Sequence, residues 1–193
     1  MAKYKEMRHA YGFDDVALVP GDITINPDQT DLKLTIGDVT LDLPFLASAM
    51  DGVVDTHFAV ALGKMGGLAV LNLDGVQTRY EFAEEVLEKI AKAPDTDVTA
   101  TLQQVYSEPI KEELIGKRIK AIKAGGVICA VSIVPANTKK YGPIAIEAGA
   151  DIIVVQSTVT TARHVSNSYK GLQFGELRKL IPARIPIIVG IFR

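Results

Sequence analysis

The chain has 193 residues, 48% of them hydrophobic and 23% charged, and a net charge of -2. This is an ordinary soluble globular composition with enough apolar residues for one real core, and its 21 basic residues are scattered, so neither nucleic acid nor an anionic membrane surface is an expected partner. No apolar run reaches the ~18 residues of a membrane span. No apolar stretch follows the first lysines as a secretory signal would require, and the single cysteine, Cys129, excludes an internal disulfide or a cysteine metal cluster. A cytoplasmic protein is the default.

Residues 1–43 read differently from the rest. Residues 14–21 are a short apolar run closed by Pro20-Gly21. Residues 32–36 alternate, Gly37-Asp38 turns, and residues 39–41 answer, which spells a β-hairpin. We read 1–43 as an N-terminal extension, a lid or plug, before a repeating part at 44–193, the whole making a single domain.

From Pro44 onward, strands and helices alternate. Strand candidates are residues 44–50, 68–73, 127–134, 152–156 and 187–189, each rich in Val, Ile, Leu or Ala without strict alternation, as in strands covered on both faces. The clearest helix spans residues 79–92. Ala83, Val86, Leu87 and Ile90 fall on one stripe, and Glu85/Lys89 and Glu88/Lys92 are i,i+4 pairs worth roughly 0.2–0.5 kcal/mol each. Pro109 suits the first turn of a helix running to about residue 124, with Ile110, Leu114, Ile119 and Ile122 inward. Residues 98–102 permit an extra strand, but 99–108 read better as an irregular lead-in. A helix ends at Met65-Gly66-Gly67, at Ala124-Gly125-Gly126 and at Ala148-Gly149, and a strand follows each time, the mark of βαβ crossovers and a parallel sheet. Five strands fit either an open doubly wound sheet, complete at this length, or part of a (β/α)8 barrel of ~250 residues. The pattern itself does not choose.

In either fold the chemistry sits where strands end. Ser48-Ala49-Met50-Asp51 closes the first core strand: Ser48 can donate to a ligand oxygen and Met50 can pack on a flat ring. The plainer alternative is a polar strand end, with Asp51 or Asp55 capping the helix from Thr56. Residues 156–161, Gln-Ser-Thr-Val-Thr-Thr, offer hydroxyls suited to ribose or phosphate, or else form a solvated loop. Gly190, after the last apolar strand, lets a ligand approach the backbone. His9, His57 and His164 share no ligand spacing, so no metal site is expected. Cys129, between Ile128 and Ala130, reads as a buried, inert thiol. A Gly-x-Gly-x-x-Gly after the first strand and a P-loop are both absent, which weakens a generic dinucleotide or ATP reading.

Several stretches, taken in order, resemble one family. Residues 12–20, Gly-Phe-Asp-Asp-Val-Ala-Leu-Val-Pro, are similar to its opening motif. Residues 44–51 and 59–71 are similar to its first barrel strand, helix and second strand, and 148–155 to a later strand. This is the IMP dehydrogenase/GMP reductase family, and the resemblance runs from about Gly12 to Gly190. It is nearest the branch without the regulatory CBS insert, since Leu73 runs directly into Asp74-Gly75 and an amphipathic helix.

The resemblance implies an incomplete (β/α)8 barrel with about five of eight strands. It implies that Ser48 and Met50 line a pocket for a purine nucleoside monophosphate, IMP or GMP, and the strand-end Gly190 is taken as a further contact to that substrate. It also places Gln156, Ser157 and Thr158 at the NAD cofactor. The family usually has Asp where this chain has Gln156, which leaves no charge there to order a nearby cation. By the same resemblance the nucleophilic Cys loop, the phosphate-binding strands, the flap and the monovalent-cation site lie beyond Arg193, so no catalytic residue is assigned. The expectation is thus an IMP dehydrogenase-like oxidoreductase (IMP to XMP with NAD), truncated before its catalytic loop and inactive alone, from a family that suggests a homotetramer. GMP reductase activity in a longer parent, a non-catalytic nucleotide-binding or assembly fragment, and an unrelated phosphate-binding barrel are the alternatives.

Overall fold

The structure, a computed structural model, describes residues 8–157 and 174–190. The chain forms two units, one ending at Asp31 and one beginning at Leu32. The first contains two short 3-10 turns, Phe13–Asp15 and Pro27–Gln29, and leaves Leu18, Val19 and Ile23 exposed. Its apolar run after Asp15 forms no strand.

The second unit opens with the hairpin, β1 (Leu34–Ile36) and β2 (Val39–Leu41), paired antiparallel with Ile36 opposite Val39. There follow β3 (Leu46–Ala47), α1 (Thr56–Lys64), β4 (Leu68–Asn72), α2 (Ala83–Ala91), α3 (Val98–Ser107), α4 (Glu112–Ala124), β5 (Ala130–Ile133), α5 (Pro135–Glu147), β6 (Ile152–Gln156), α6 (Phe174–Leu180) and β7 (Ile187–Gly190). Strands β3 to β7 make one parallel sheet in which spatial order equals chain order.

That order separates the two closures. A doubly wound sheet reverses direction at a switch point and carries helices on both faces. Here every strand adds to the same side of its predecessor. The helices pack on one face, where Ile119 of α4, Ala145 of α5 and Leu177 of α6 meet Leu71, Val131 and Ile153. The alternate residues Leu68, Val70, Ala130, Ile152 and Val154 form a second buried cluster, joined by Leu34, Val39 and Leu41 of the hairpin. The fold is therefore an incomplete (β/α)8 barrel, a five-stranded half-barrel with an added hairpin.

The hairpin is a plug on the inner face, at the amino ends of the strands. A Cβ at Gly37 would come 2.8 Å from the ring of Pro186, just before β7, and Val39 and Thr40 border a cavity with Ile128 and Asp151 at the starts of β5 and β6. The carboxyl ends of the strands are left clear of it.

The repeating helix–strand joints depend on Gly66, Gly126 and Gly149, whose φ angles of +94°, +75° and +105° are left-handed and would strain any residue with a Cβ. The predicted strands 152–156 and 187–189 match β6 and β7 within a residue, while the first and third shorten to β3 and β5. Residues 98–107 depart from the expectation. The β-branched Val98, Thr99 and Thr101 suggest an extended or irregular segment, but the chain is helical as α3, because Val105 must be buried against Val76 and Ala83. Pro109 accordingly lies in the connection between α3 and α4, not in a first turn, and Ile115 takes the buried place expected of Ile110. The helix expected from residue 79 begins at Ala83, after a 3-10 turn at Val76–Thr78. Among the described residues, no helix is long and apolar enough to cross a membrane.

The core makes a direct prediction. Ile119 is fully buried between helix and sheet. Ile119→Ala should lose about 2–5 kcal/mol in urea unfolding, the usual cost of a cavity this size. A loss under ~1 kcal/mol would mean that α4 does not seat on the sheet as described.

Candidate functional site

Strand alternation places side chains at the carboxyl end of the inner face. Leu68 and Val70 belong to the inner cluster, so Asn72, two residues on, shares that face. The same step carries Ala130 to Ser132, Val154 to Gln156 and Ile188 to Gly190. Register pairs them two by two: Asn72 is opposite Ser132 and Gln156 opposite Gly190, while Ser132 is opposite Val154, one inward step below Gln156. The inner face is thus apolar below and polar at its rim. Asn72 and Ser132 are missed by a reading that stops at strand ends; the signal for them was the period-two count along β4 from Leu68 and Val70 and along β5 from Ala130.

Of the expected site residues, Gln156 and Gly190 come together as register partners. A Cβ built at Gly190 would meet nothing within 4 Å, so the space beside it is open. Ser157 follows β6 directly and is half-buried; Thr158 and His164 lie outside the described residues.

Ser48 and Met50 are arranged differently. β3 ends after two residues, and the Met50 N–H donates to the Ser48 carbonyl at 2.8 Å, closing a tight turn that puts Ala49 into the inner cluster. Alternation therefore cannot be carried through to Ser48, which is half-buried. Met50 is 49% exposed, and its carbonyl accepts the N–H groups of Val53 and Val54 at 2.9 Å each.

The two readings of Asp51 and Asp55 separate cleanly. Asp55 caps α1, its Oδ1 accepting the Phe58 N–H at 2.7 Å. Asp51 instead ties three elements together. It accepts the Val76 N–H at 2.8 Å, the Asn72 amide at 3.3 Å and the Tyr106 hydroxyl of α3 at 2.6 Å. This needs a glycine at 75, since a Cβ there would lie 1.9 Å from an Asp51 oxygen. The Tyr106 phenol is held in its protonated, donating form, raised by burial and then by the Asp51 carboxylate.

Next to it, Asp74 joins the β4 end to α5. Its carboxylate accepts the Val134 N–H at 2.7 Å and the Asn137 amide at 2.5 Å. Arg79 donates twice to the Asp74 carbonyl, at 3.2 and 3.0 Å, and again to the Glu108 carbonyl, while its guanidinium lies 5.8 Å from the centre of the Tyr106 ring. A cleft of about 710 Å³ opens beside this network, bordered by Asp51, Val53, Leu87, Leu102 and Tyr106.

Cys129 stands apart from all of this. It is fully buried on the helix-covered face just before β5, and burial pushes its thiol up to about 12. His57 is exposed in the first turn of α1. Among the described residues, no three His, Cys, Asp or Glu side chains gather to hold a metal ion.

Burial raises the Asp74 carboxyl above its ordinary value of 3.8, with the two hydrogen bonds opposing. A raised acid stabilises the fold below its unfolded pKa, and that contribution is lost as pH rises through the folded value. The stability of the wild type relative to Asp74→Asn should therefore fall as pH goes from about 4 to about 7. Urea midpoints of the two proteins across that range test it, and a difference that stays flat or grows would contradict it.

The comparisons with known proteins agree with this architecture. Residues 10–190 match the IMP dehydrogenase / GMP reductase domain. An uncharacterized oxidoreductase of Mycolicibacterium smegmatis is 29% identical over 95% of this chain and 50% of its own length. The inosine-5'-monophosphate dehydrogenase of Methanocaldococcus jannaschii is 38% identical over 64% of this chain and 23% of its own. The crystal structure of an IMP dehydrogenase/GMP reductase-like protein from Corynebacterium glutamicum superposes with a TM-score of 0.84 at 31% identity, over 96% of this chain and 49% of that one. The chain spans about half the length of the Mycolicibacterium relative and of the Corynebacterium structure. With nearly all of its residues inside the matched domain, the chain belongs to the IMP dehydrogenase / GMP reductase domain family.

Proposed function

We propose that this chain supplies one wall of the active site of an NAD-dependent oxidoreductase that converts IMP to XMP. The observation that carries the reading is the polar end of the inner face, Asn72 and Gln156 with the buried Ser132 beneath them, above an apolar floor and beside open space at Gly190. Parallel barrels keep their sites at this end, and family membership supplies the substrate class. In this reading Ser48, Met50 and Gly190 hold the purine nucleoside monophosphate, and Gln156, Ser157 and Thr158 face the cofactor.

Among the described residues, Gln156 suits the amide of a nicotinamide ring. It is half-buried on the inner face and brings an amide that both donates and accepts. NAD, when bound, supplies a hydride acceptor. The chain's own part is to orient the base with Met50, to donate from Ser48 and to present the Gln156 amide. A thiolate nucleophile is not part of it, because Cys129 is buried away from the rim with its thiol raised to about 12. The reacting group comes from outside these residues, and the working protein is a cytoplasmic homo-oligomer.

Isothermal titration with IMP, GMP and ribose 5-phosphate tests the reading. The purine nucleotides should bind more tightly than the sugar phosphate, and Ser48→Ala and Gln156→Ala should weaken IMP and NAD respectively, each by roughly fivefold or more. Preference for ribose 5-phosphate would contradict the purine nucleotide reading. NADH formation from IMP and NAD by this chain alone, surviving Cys129→Ser, would show that the chemistry is misplaced.

A further inference from the structure

Asp51 immediately follows the arm that presents Ser48 and Met50, and β3, which should anchor that arm, is only two residues long. So short a strand fixes little by itself. The arm is held from beyond, at Asp51, by donors from three places: the Asn72 side chain at the rim, the Val76 backbone after β4 and the Tyr106 hydroxyl of α3. The tyrosine bond is the shortest of the three, at 2.6 Å, and is of the charge-assisted O–H···O⁻ kind. It is also the only one that comes from outside the barrel's strands and strand ends, and α3 is itself pinned there by Arg79, which bonds the Glu108 and Asp74 carbonyls.

We infer that Tyr106 is a positioning residue: through Asp51 it sets the Ser48–Met50 arm in the geometry that receives the purine nucleotide. The inference rests on the site proposed above. α3 is thereby part of the site's support, although it lies outside the strands that carry the polar rim. Tyr106 is 40% exposed and borders the cleft, so its hydroxyl can be removed without opening a core cavity.

The test uses Tyr106→Phe and a reporter that needs no ligand. The chain has four methionines, of which Met50 is on the arm and Met65, 69% exposed at the end of α1, is remote from it. In methyl-labelled protein the Met50 signal, assigned by Met50→Leu, should shift or broaden in Tyr106→Phe while Met65 stays in place. The dissociation constant for IMP should rise roughly fivefold or more. Gly75→Ala, which drives the Asp51 carboxylate away by a different route, should disturb Met50 in the same way. An unmoved Met50 signal in Tyr106→Phe overturns the inference, as does an unchanged IMP affinity in a protein whose parent binds IMP. If the parent does not bind IMP, the site reading itself falls and the inference about nucleotide geometry falls with it. That case is distinguished by a Met50 signal that still responds to both variants.

Discussion

The fold depends on one constraint: a parallel sheet with helices on one face only. Strand alternation then divides every strand between two fates. One set of residues locks onto helices, and the other faces a barrel interior closed below by the hairpin. Because the interior is apolar for most of its depth, any polar residue on that parity is pushed to the rim. Asn72 and Gln156 end their strands there, and Ser132, opposite Asn72 and Val154, lies buried at the edge of the apolar interior. The site thus follows from the same period-two rule that builds the core.

Above the sheet, backbone geometry gives way to carboxylates. Asp55 starts α1, Asp51 gathers the ends of β3, β4 and α3, and Asp74 gathers β4 and α5. Each accepts a main-chain N–H where a strand stops or a helix starts. These bonds come with a burial penalty, seen in the raised Asp74 carboxyl and offset by hydrogen bonding. An apolar seam between strand and loop would not fix direction, whereas a carboxylate with three donors fixes both position and angle.

Much of this was legible in the residues, for identifiable reasons. The αβ joints announced themselves through glycine, since a left-handed residue after a helix tolerates little else. β6 and β7 are continuous apolar runs with sharp ends, so their bounds were plain. α3 was hidden, because its β-branched opening argues for a strand and only a distant contact, Val105 against Val76 and Ala83, makes it helical. The choice between barrel and doubly wound sheet was not local either. It depends on which side each strand joins, and no periodicity encodes that. Within the site, Gln156 and Gly190 could be found by counting strand ends. The partners of Asp51 could not, because Tyr106 lies 55 positions away.

The central claim is that the carboxyl rim of the inner face receives a purine nucleoside monophosphate. Amide hydrogen exchange with and without IMP addresses it most directly. The account predicts slower exchange for the amides of residues 50–54, 73–76 and 156–157, with the hairpin at 34–41 unchanged. Protection confined to the hairpin end, or to the outer helical face, would contradict it.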